Sequence, residues 1–283
     1  MNCSFFRISV LLVAYCISIS LVHASSITVL NTFTIPDTGD NPQDTTWDGN
    51  SLWVAELNNT VLLEIDPNDG SLLSEFEHPG NNPNGLTFDG TTLFISDDDV
   101  GGVGVVFQAD LDGNEIGSWT FGPPILDSEG LAYDGDTGNI WLTDDTSNMV
   151  FELDADDGTI ISSFEYPGAD PDGITWRDGQ LFVVDEDTLD ILQLDTNGNL
   201  LGIVSIAELG INPRGITWDG TSFWLTIQDD QQDEPGQLVQ LTATFTSLAP
   251  TAVPTLSPIM LVALMLILGM VAIQAFLHRT NRS

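Results

Sequence analysis

Five copies of one short phrase divide most of this chain into segments of similar length. Each copy contains a Gly, an apolar residue, a small residue, an aromatic residue and a closing Asp-Gly, as in Gly85–Gly90. In the first copy Asp44 replaces the Gly. The aromatic residues of the five copies are 41 to 45 residues apart, at Trp47, Phe88, Tyr133, Trp176 and Trp218. Repeats of this length with strand-like content predict a β-propeller with one blade per repeat.

Each repeat contains four segments with strand character, which we call A to D in chain order. Strand A is the repeated phrase, and its Asp-Gly favours a tight turn into strand B. The last repeat has no obvious strand D, but residues 27–35 resemble the D strands of other repeats. The sequence therefore predicts an all-β propeller of five four-stranded blades, closed by an N-terminal strand. In the alternative, residues 243–248 form the missing strand and residues 27–35 belong to a degenerate sixth blade.

The N-terminal segment has the composition of a signal peptide. Residues 1–24 carry a single charge, at Arg7, and an apolar run, and Val22 and Ala24 fit the small-residue positions of a cleavage site. We therefore expect an exported protein whose propeller occupies residues 25–249.

The composition of the propeller excludes several classes of chemistry. All 42 acidic residues lie between residues 25 and 250, together with only two arginines, and the chain contains no Lys. Both Cys residues lie in the signal peptide, and His78 is the only His in the propeller. Nucleic acid is excluded as a partner because phosphates require cations. Carboxylate chemistry, hard cations such as Ca²⁺ and recognition without chemistry remain.

The residue that ends the loop before strand A differs from blade to blade. Because strand A begins beside the central channel, these five side chains are predicted to line the channel mouth and bind a ligand or ion. The set is Gln43, Asn84, Glu129, Asp172 and Arg214. Arg214 is expected to pair with Glu129 or Asp172, and a purely structural clamp is the alternative.

Other acidic and amide residues are predicted to stabilise loops or hold a cation. The residues two positions earlier, and the acids that end strand B, are expected to bond backbone amides. The earlier residues are Asn41, Asn82, Asp127, Asp170 and Asn212, and the strand-end acids are Glu56, Asp97, Asp144 and Asp185. Denser acid groups predict a cation site, with Ca²⁺ as the candidate ion. They are Asp97, Asp98, Asp99, Asp229 and Asp230. His78 is expected to be a loop residue.

The repeat pattern resembles the NHL, gluconolactonase, glutamine-cyclotransferase and virginiamycin-lyase-like propellers. It reads Gly-apolar-x-aromatic-Asp-Gly, then Leu-Trp-Val-Ala-acid, then Leu-Asp-x-x-x-Gly, over about residues 27–245. The resemblance implies the fold but no single activity, since this superfamily contains enzymes, sensors and binding proteins. The lyase-like members use a catalytic His, and the Glu-His-Pro-Gly surroundings of His78 differ from theirs, which argues against lyase activity.

The C-terminal segment combines a linker with an apolar run and a basic end. Residues 250–258 form the linker, residues 259–277 are long enough to cross a bilayer, and residues 278–283 are expected to stay cytoplasmic. Five linker residues resemble the start of the IPTL-CTERM sorting signal, a relative of the PEP-CTERM tails of Gram-negative bacteria. They are Val253, Pro254, Thr255, Leu256 and Ser257. The resemblance implies cleavage by an exosortase-like protease, and a simple membrane anchor is the alternative.

Together these features predict a surface-sorted or extracellular propeller, monomeric, that acts as a recognition or scaffold module for a glycan or a surface protein. The alternative is a Ca²⁺-dependent or carboxylate-dependent enzyme, of lactonase or glycan-lyase type, with its site at the acidic channel mouth.

Overall fold

The computed structural model describes residues 25–36, 41–98, 103–210, 212–228 and 235–247. The predicted signal peptide, the predicted sorting motif, the apolar C-terminal run and the basic end lie outside these residues, as do Asp99, Asp229 and Asp230. The predictions on those segments stay predictions. Within the described part of the chain, no helix has the length and apolar character needed to cross a membrane.

The described residues form 21 strands and one short 3₁₀ helix at Ala207–Leu209. The strands are β1 (Ser26–Thr34), β2 (Pro42–Trp47), β3 (Leu52–Glu56), β4 (Val61–Ile65), β5 (Leu72–Glu77), β6 (Pro83–Phe88), β7 (Leu93–Asp97), β8 (Gly104–Ala109), β9 (Glu115–Phe121), β10 (Leu131–Tyr133), β11 (Asn139–Asp144), β12 (Met149–Asp154), β13 (Ile160–Glu165), β14 (Pro171–Arg177), β15 (Gln180–Asp185), β16 (Asp190–Asp195), β17 (Leu200–Ser205), β18 (Pro213–Trp218), β19 (Phe223–Ile227), β20 (Gln237–Thr244) and β21 (Thr246–Ser247).

These strands form a five-bladed propeller, as the repeats predict. The blades are the antiparallel sheets β2–β5, β6–β9, β10–β13, β14–β17 with β21, and β18–β20 with β1. The A strands β2, β6, β10, β14 and β18 are adjacent in that order, and β18 lies beside β2, so the ring is closed. The third blade departs from the prediction because its strand A is short and begins only at Leu131.

The N-terminal strand completes the last blade, which confirms the predicted closure. β1 pairs antiparallel with β20 along its whole length, from Ser26 opposite Thr244 to Thr34 opposite Gln237. The alternative with residues 243–248 is wrong. Thr244 still belongs to β20, and β21 pairs with β17 as a fifth strand on the outer edge of the fourth blade.

The Asp of the repeated Asp-Gly joins the turn to the core in the three blades whose strand B contains a Trp. Asp48 accepts hydrogen bonds from the backbone N–H groups of Asn50 and Ser51, and also from the indole N–H of the buried Trp53 at 2.8 Å. In the last blade Asp219 accepts from the backbone N–H of Ser222 and from the indole N–H of Trp224. A buried indole N–H needs an acceptor. In these blades one carboxylate therefore serves the turn and a core tryptophan together, whereas the second and fourth blades have Phe94 and Phe182 in place of the Trp.

The Gly that begins the phrase is required by the closeness of adjacent A strands. A Cβ at Gly173 would lie 2.5 Å from the carbonyl oxygen of Arg214, and a Cβ at Gly215 would lie 2.5 Å from Cα of Asp44. The inner strands thus pack backbone against backbone around the axis. This arrangement leaves the loops before strand A to form the rim of the channel.

Candidate functional site

Four of the five blade-specific residues lie in β-bulges at the start of strand A. The pairing of strands A and B shifts register immediately after the Pro that starts strand A in four blades. Gln43, Asn84, Asp172 and Arg214 lie within these shifts, and bulges of this kind redirect side chains. In the third blade Glu129 precedes the short strand A, and its N–H donates to the carbonyl oxygen of Thr143 at 3.0 Å.

A second set of mouth residues follows strand B directly. Asp98 accepts from the Asn84 side chain at 2.8 Å and from the Ser128 hydroxyl at 2.7 Å. Glu186 is ion-paired with Arg214, whose Nε also donates to Gln228. Sequence reasoning missed Glu186 and Gln228, and it named Asp98 only as a candidate cation ligand. The available signal was the doubled acid at the end of strand B, as in Asp97-Asp98, Asp144-Asp145 and Asp185-Glu186.

The first acid of each pair has a structural role, as predicted. Asp144 is completely buried and accepts from the backbone N–H groups of Leu126 and Ser147. Asp185 makes the equivalent bonds to the N–H groups of Ala169 and Thr188. These carboxylates therefore hold the loops that form the mouth.

Asp97 and Asp98, which the sequence places in one cation-binding group, have different surroundings. Asp97 Oδ2 is buried and accepts from His78 Nε2 at 3.0 Å and from the N–H groups of Asn81 and Asn82. His78 is a loop residue, as predicted, since it follows β5 directly, but it is buried, with its ring edge-on to Phe107. The hydrogen bond to Asp97 and the contact with Phe107 hold the His78 ring in this buried position.

The residues expected to bond loop amides through their side chains do so mainly through their backbone. The carbonyl oxygens of Asn41, Asp170 and Asn212 accept from the N–H of the residue after strand B. The side-chain carboxylates of Asp170 and, at the matching position, of Asp127 take no part in these backbone bonds. At Asn41, Asp170 and Asn212, three of the five positions, the loop-stabilising prediction is confirmed, and the bonding atom is the backbone carbonyl oxygen.

Three carboxylates at the third blade form the tightest acidic cluster among the described residues. Asp127, Glu129 and Asp145 each offer an oxygen, and these oxygens lie within 4.8 Å of one another. Asp145 Oδ1 is buried and has no hydrogen-bond partner. Oxygen ligands at this spacing suit a hard cation such as Ca²⁺. We call Asp127, Glu129 and Asp145 the carboxylate cluster.

The mouth has more acidic groups than its one guanidinium can balance. Burial raises the pKa of Glu129 to about 10, and the nearby charges of Asp172 and Asp145 add to the effect. Burial also raises the pKa of Asp98 to about 7, with a further contribution from Asp127. The pKa of Asp172 is raised to about 7 by burial, although Arg214 acts in the opposite direction.

Arg214 links the fourth and fifth blades at the mouth. Its Nη1 lies 2.8 Å from Asp172 Oδ2 and 2.8 Å from Glu186 Oε2, and its Nε donates to Gln228 at 3.1 Å. The expected pairing therefore occurs, with Asp172. Since three acceptors already surround it, this side chain acts mainly as a clamp between blades.

Asp44 occupies the channel axis below the mouth. Its Oδ2 accepts from the N–H of Leu86 at 2.8 Å and from the N–H of Leu131 at 3.3 Å, and its Oδ1 accepts from the N–H of Thr45. Only 2% of Asp44 is exposed, and burial raises the pKa of its carboxyl well above the usual value. The residue that breaks the Gly pattern thus joins the inner strands of three blades.

Comparisons with known proteins identify the fold and no closer relationship. No known protein family and no curated protein matches the sequence. Glutaminyl cyclase from Myxococcus xanthus is 13% identical, with 77% of this chain and 97% of that chain covered and a TM-score of 0.64. A nidogen/laminin complex chain is 15% identical, with 72% and 85% covered and a TM-score of 0.52. A luciferin-regenerating enzyme is 14% identical, with 77% and 97% covered and a TM-score of 0.50.

At these identities the comparisons show a shared β-propeller fold alone. The fold is one that enzymes use, among them the cyclase. Any argument about activity must therefore rest on the geometry of the channel mouth.

Proposed function

We propose that this protein is an exported, surface-delivered recognition module that binds Ca²⁺ at the channel mouth and captures an oxygen-rich ligand there. The observation that carries the proposal is the carboxylate cluster. The cluster stands on a rigid five-bladed ring, where loops on one face commonly carry function.

The number of protein ligands fits a cation that also contacts a ligand. Ca²⁺ takes six to eight oxygen ligands. The three carboxylates of the cluster leave coordination positions for water or for ligand oxygens, such as the hydroxyl groups of a glycan. Extracellular modules typically bind Ca²⁺ with dissociation constants of about 10⁻⁴–10⁻³ M, which matches the exported setting that the N-terminal segment predicts.

Calorimetric titration with Ca²⁺ tests the cation. We expect binding in the submillimolar to millimolar range, and a loss of affinity of at least tenfold in Glu129→Gln. The matched control is Glu75→Gln, on the exposed outer strand β5. Equal Ca²⁺ affinity in both variants would show that the carboxylate cluster does not bind the ion.

The ligand is tested by a glycan array in the presence of Ca²⁺ and of EDTA. A glycan that binds only with Ca²⁺, and is recovered unchanged, supports recognition. Binding that persists in EDTA and in Glu129→Gln would mean that capture takes place elsewhere.

A second candidate is an enzyme that uses carboxyl groups near the cluster, Asp98 and Asp172, as acid and base. The observation in its favour is that Asp98 and Asp172 have pKa values raised to about 7, close to the pH at which acid–base catalysis is most effective. Incubation with a panel of lactones and glycans distinguishes it from recognition. Turnover that Asp172→Asn abolishes supports the enzyme, and ligand binding with no product supports recognition.

Surface delivery rests on the resemblance of Val253–Ser257 to a sorting signal, and we propose that an exosortase-like protease removes the tail. Mass spectrometry of cell fractions should detect a monomeric form that ends near Ser257, outside the inner membrane. Full-length protein confined to the inner membrane would show that the tail is an anchor.

A further inference from the structure

A cavity of about 310 Å³ lies beside the channel mouth, between the second and third blades. Phe121 and Ile125 are buried and form its apolar inner surface. Val103 and Leu126 form its rim and are 47% and 56% exposed, which is unusual for large apolar side chains. Asp98 provides a carboxylate in its wall. We call these five residues the blade 2–3 pocket.

Two connections between strands contribute the described residues of this pocket. The connection between β7 and β8 contributes Asp98 and Val103, and the connection between β9 and β10 contributes Ile125 and Leu126. The β7–β8 connection has six residues, against four in the first, third and fourth blades and nine in the fifth. The longest spacing between repeats, 45 residues, spans both connections. Loops on one face of a repeat protein commonly form its binding face.

The packing at the base of the pocket depends on a Gly. A Cβ at Gly104 would lie 2.0 Å from the ring of Phe121, so the ring takes the space that a side chain would need. The volume of the pocket lies at the lower end of the range for small-molecule sites, and its surface is apolar with one charged group, as is usual for such sites.

The charged group of the pocket is fixed in place and has no positive partner among the described residues. The Asp98 carboxylate accepts from the N–H and the hydroxyl of Ser128 and from the Asn84 side chain. The arginines of the propeller are engaged elsewhere, Arg177 over the ring of Trp218 and Arg214 with Asp172 and Glu186. The Asp127 side chain also hydrogen-bonds Asp98, and carboxylate oxygens can accept more bonds than these.

We propose that the blade 2–3 pocket binds a small amphiphilic amine, with its ammonium group on the Asp98 carboxylate and its apolar group against Phe121 and Ile125. Charge complementarity selects the cation, because the pocket opens beside an acidic mouth. The apolar wall selects against small polar cations. This site goes beyond the proposed Ca²⁺ function and does not require it.

Titration followed by NMR or calorimetry in EDTA tests the pocket with three probes. Phenethylamine has both features, 2-phenylethanol lacks the charge and ethylamine lacks the ring. We expect phenethylamine to bind at least tenfold more tightly than either of the others. Equal binding of phenethylamine and 2-phenylethanol, or no binding of phenethylamine at 10 mM, a concentration of the order expected for weak probes, would overturn the proposal.

Variants locate the binding site. Leu126→Trp fills the rim at an exposed position and should reduce phenethylamine affinity at least tenfold, and Asp98→Asn should do the same by removing the charge. Ile116→Trp is the matched control, since Ile116 is equally exposed but lies on the outer strand β9. Affinity that Leu126→Trp leaves unchanged, or that only Glu129→Gln removes, would assign the amine to the carboxylate cluster and overturn the proposal. The titration is then repeated with Ca²⁺. A failure of the amine proposal and a failure of the Ca²⁺ proposal are thereby distinguished.

Discussion

At the end of strand B, two neighbouring carboxylates in the third blade have different surroundings. Asp144 is buried and bonded to backbone amides, whereas Asp145 joins the carboxylate cluster and keeps one oxygen unpaired. Likewise, Asp97 accepts from a backbone N–H, whereas Asp98 accepts from the Asn84 side chain. An unpaired buried oxygen costs stability unless a ligand satisfies it. The second residue of each acidic pair is therefore the one that gives the mouth its chemistry.

Asp44→Ala tests whether the axial carboxylate stabilises the ring. The variant leaves the N–H groups of Leu86 and Leu131 without their acceptor, so we expect the free energy of unfolding to fall by about 1–3 kcal/mol. Asp69→Ala is the control, because Asp69 accepts one bond from Ser71 in an exposed turn. Chemical denaturation measures both. Unchanged stability in Asp44→Ala would show that the axial bonds do not stabilise the ring.

Arg214→Ala tests the clamp between the fourth and fifth blades. Removing a partly buried cation leaves Asp172 and Glu186 facing each other, and we expect a loss of about 1–3 kcal/mol. The double variant Arg214→Ala/Asp172→Asn should recover part of this loss, because it removes one of the two unpaired charges. Additive effects in a double-mutant cycle would mean that the ion pair is not coupled.

The blade-specific mouth residues could be predicted from the aligned repeats, but Asp145 and Glu186 could not. Neighbouring side chains of a strand point in opposite directions, so an error of one residue in the strand end exchanges the two acids. The sequence shows the doubled acid but not which carboxylate faces the channel. The role of Asp44 was hidden for another reason, since its partners Leu86 and Leu131 lie in two other blades.

At the level of elements, the closure of the ring by β1 was predictable and two details of strand length were not. Residues 27–35 repeat the pattern of the other D strands, and Phe33 packs on the turn at Gly70 as Phe76 packs on the turn at Gly113. β21 has two residues, which is too short for any periodicity. The short β10 coincides with the blade that has Ser128 where the other A strands begin with Pro.

Deleting residues 26–34 tests the closure directly. The deletion exposes the edge of β20, and exposed edges pair with other chains, so we expect aggregation. A milder change, Phe33→Ala, removes the contacts with Trp224 and Gly70 and should cost about 2–4 kcal/mol. Val29→Ala, at an exposed position of the same strand, is the control. A soluble, monomeric deletion variant with wild-type stability would contradict the donated-strand closure.

At the level of the whole molecule, a net charge of −37 makes stability depend on protons and cations. The propeller has one guanidinium near the mouth and carboxyls whose pKa values are raised there. A bound proton and a bound Ca²⁺ relieve the same repulsion. The two should compete directly at Glu129, which belongs to the carboxylate cluster, whereas Ca²⁺ acts on Asp98 and Asp172 through its charge.

Thermal unfolding against pH measures this competition. The folded state raises the pKa of Asp98 and Asp172 to about 7 and of Glu129 to about 10, above the values in the unfolded chain. The folded state thus binds protons more tightly, and stability should fall as pH rises from about 5 towards 9. In EDTA we expect Tm to drop by about 5 °C or more over this range. Millimolar CaCl₂ should remove most of the drop, and NaCl at matched ionic strength should remove less. Equal effects of the two salts would argue against a specific Ca²⁺ site.

The most direct test of the central claim is a crystal structure of the protein grown with Ca²⁺ at millimolar concentration. The account predicts an ion bound to Asp127, Glu129 and Asp145 with oxygen distances of about 2.3–2.6 Å, and with open or water-filled positions toward the channel. A carboxylate cluster that stays empty under these conditions, or Ca²⁺ bound only at the outer turns, would contradict it.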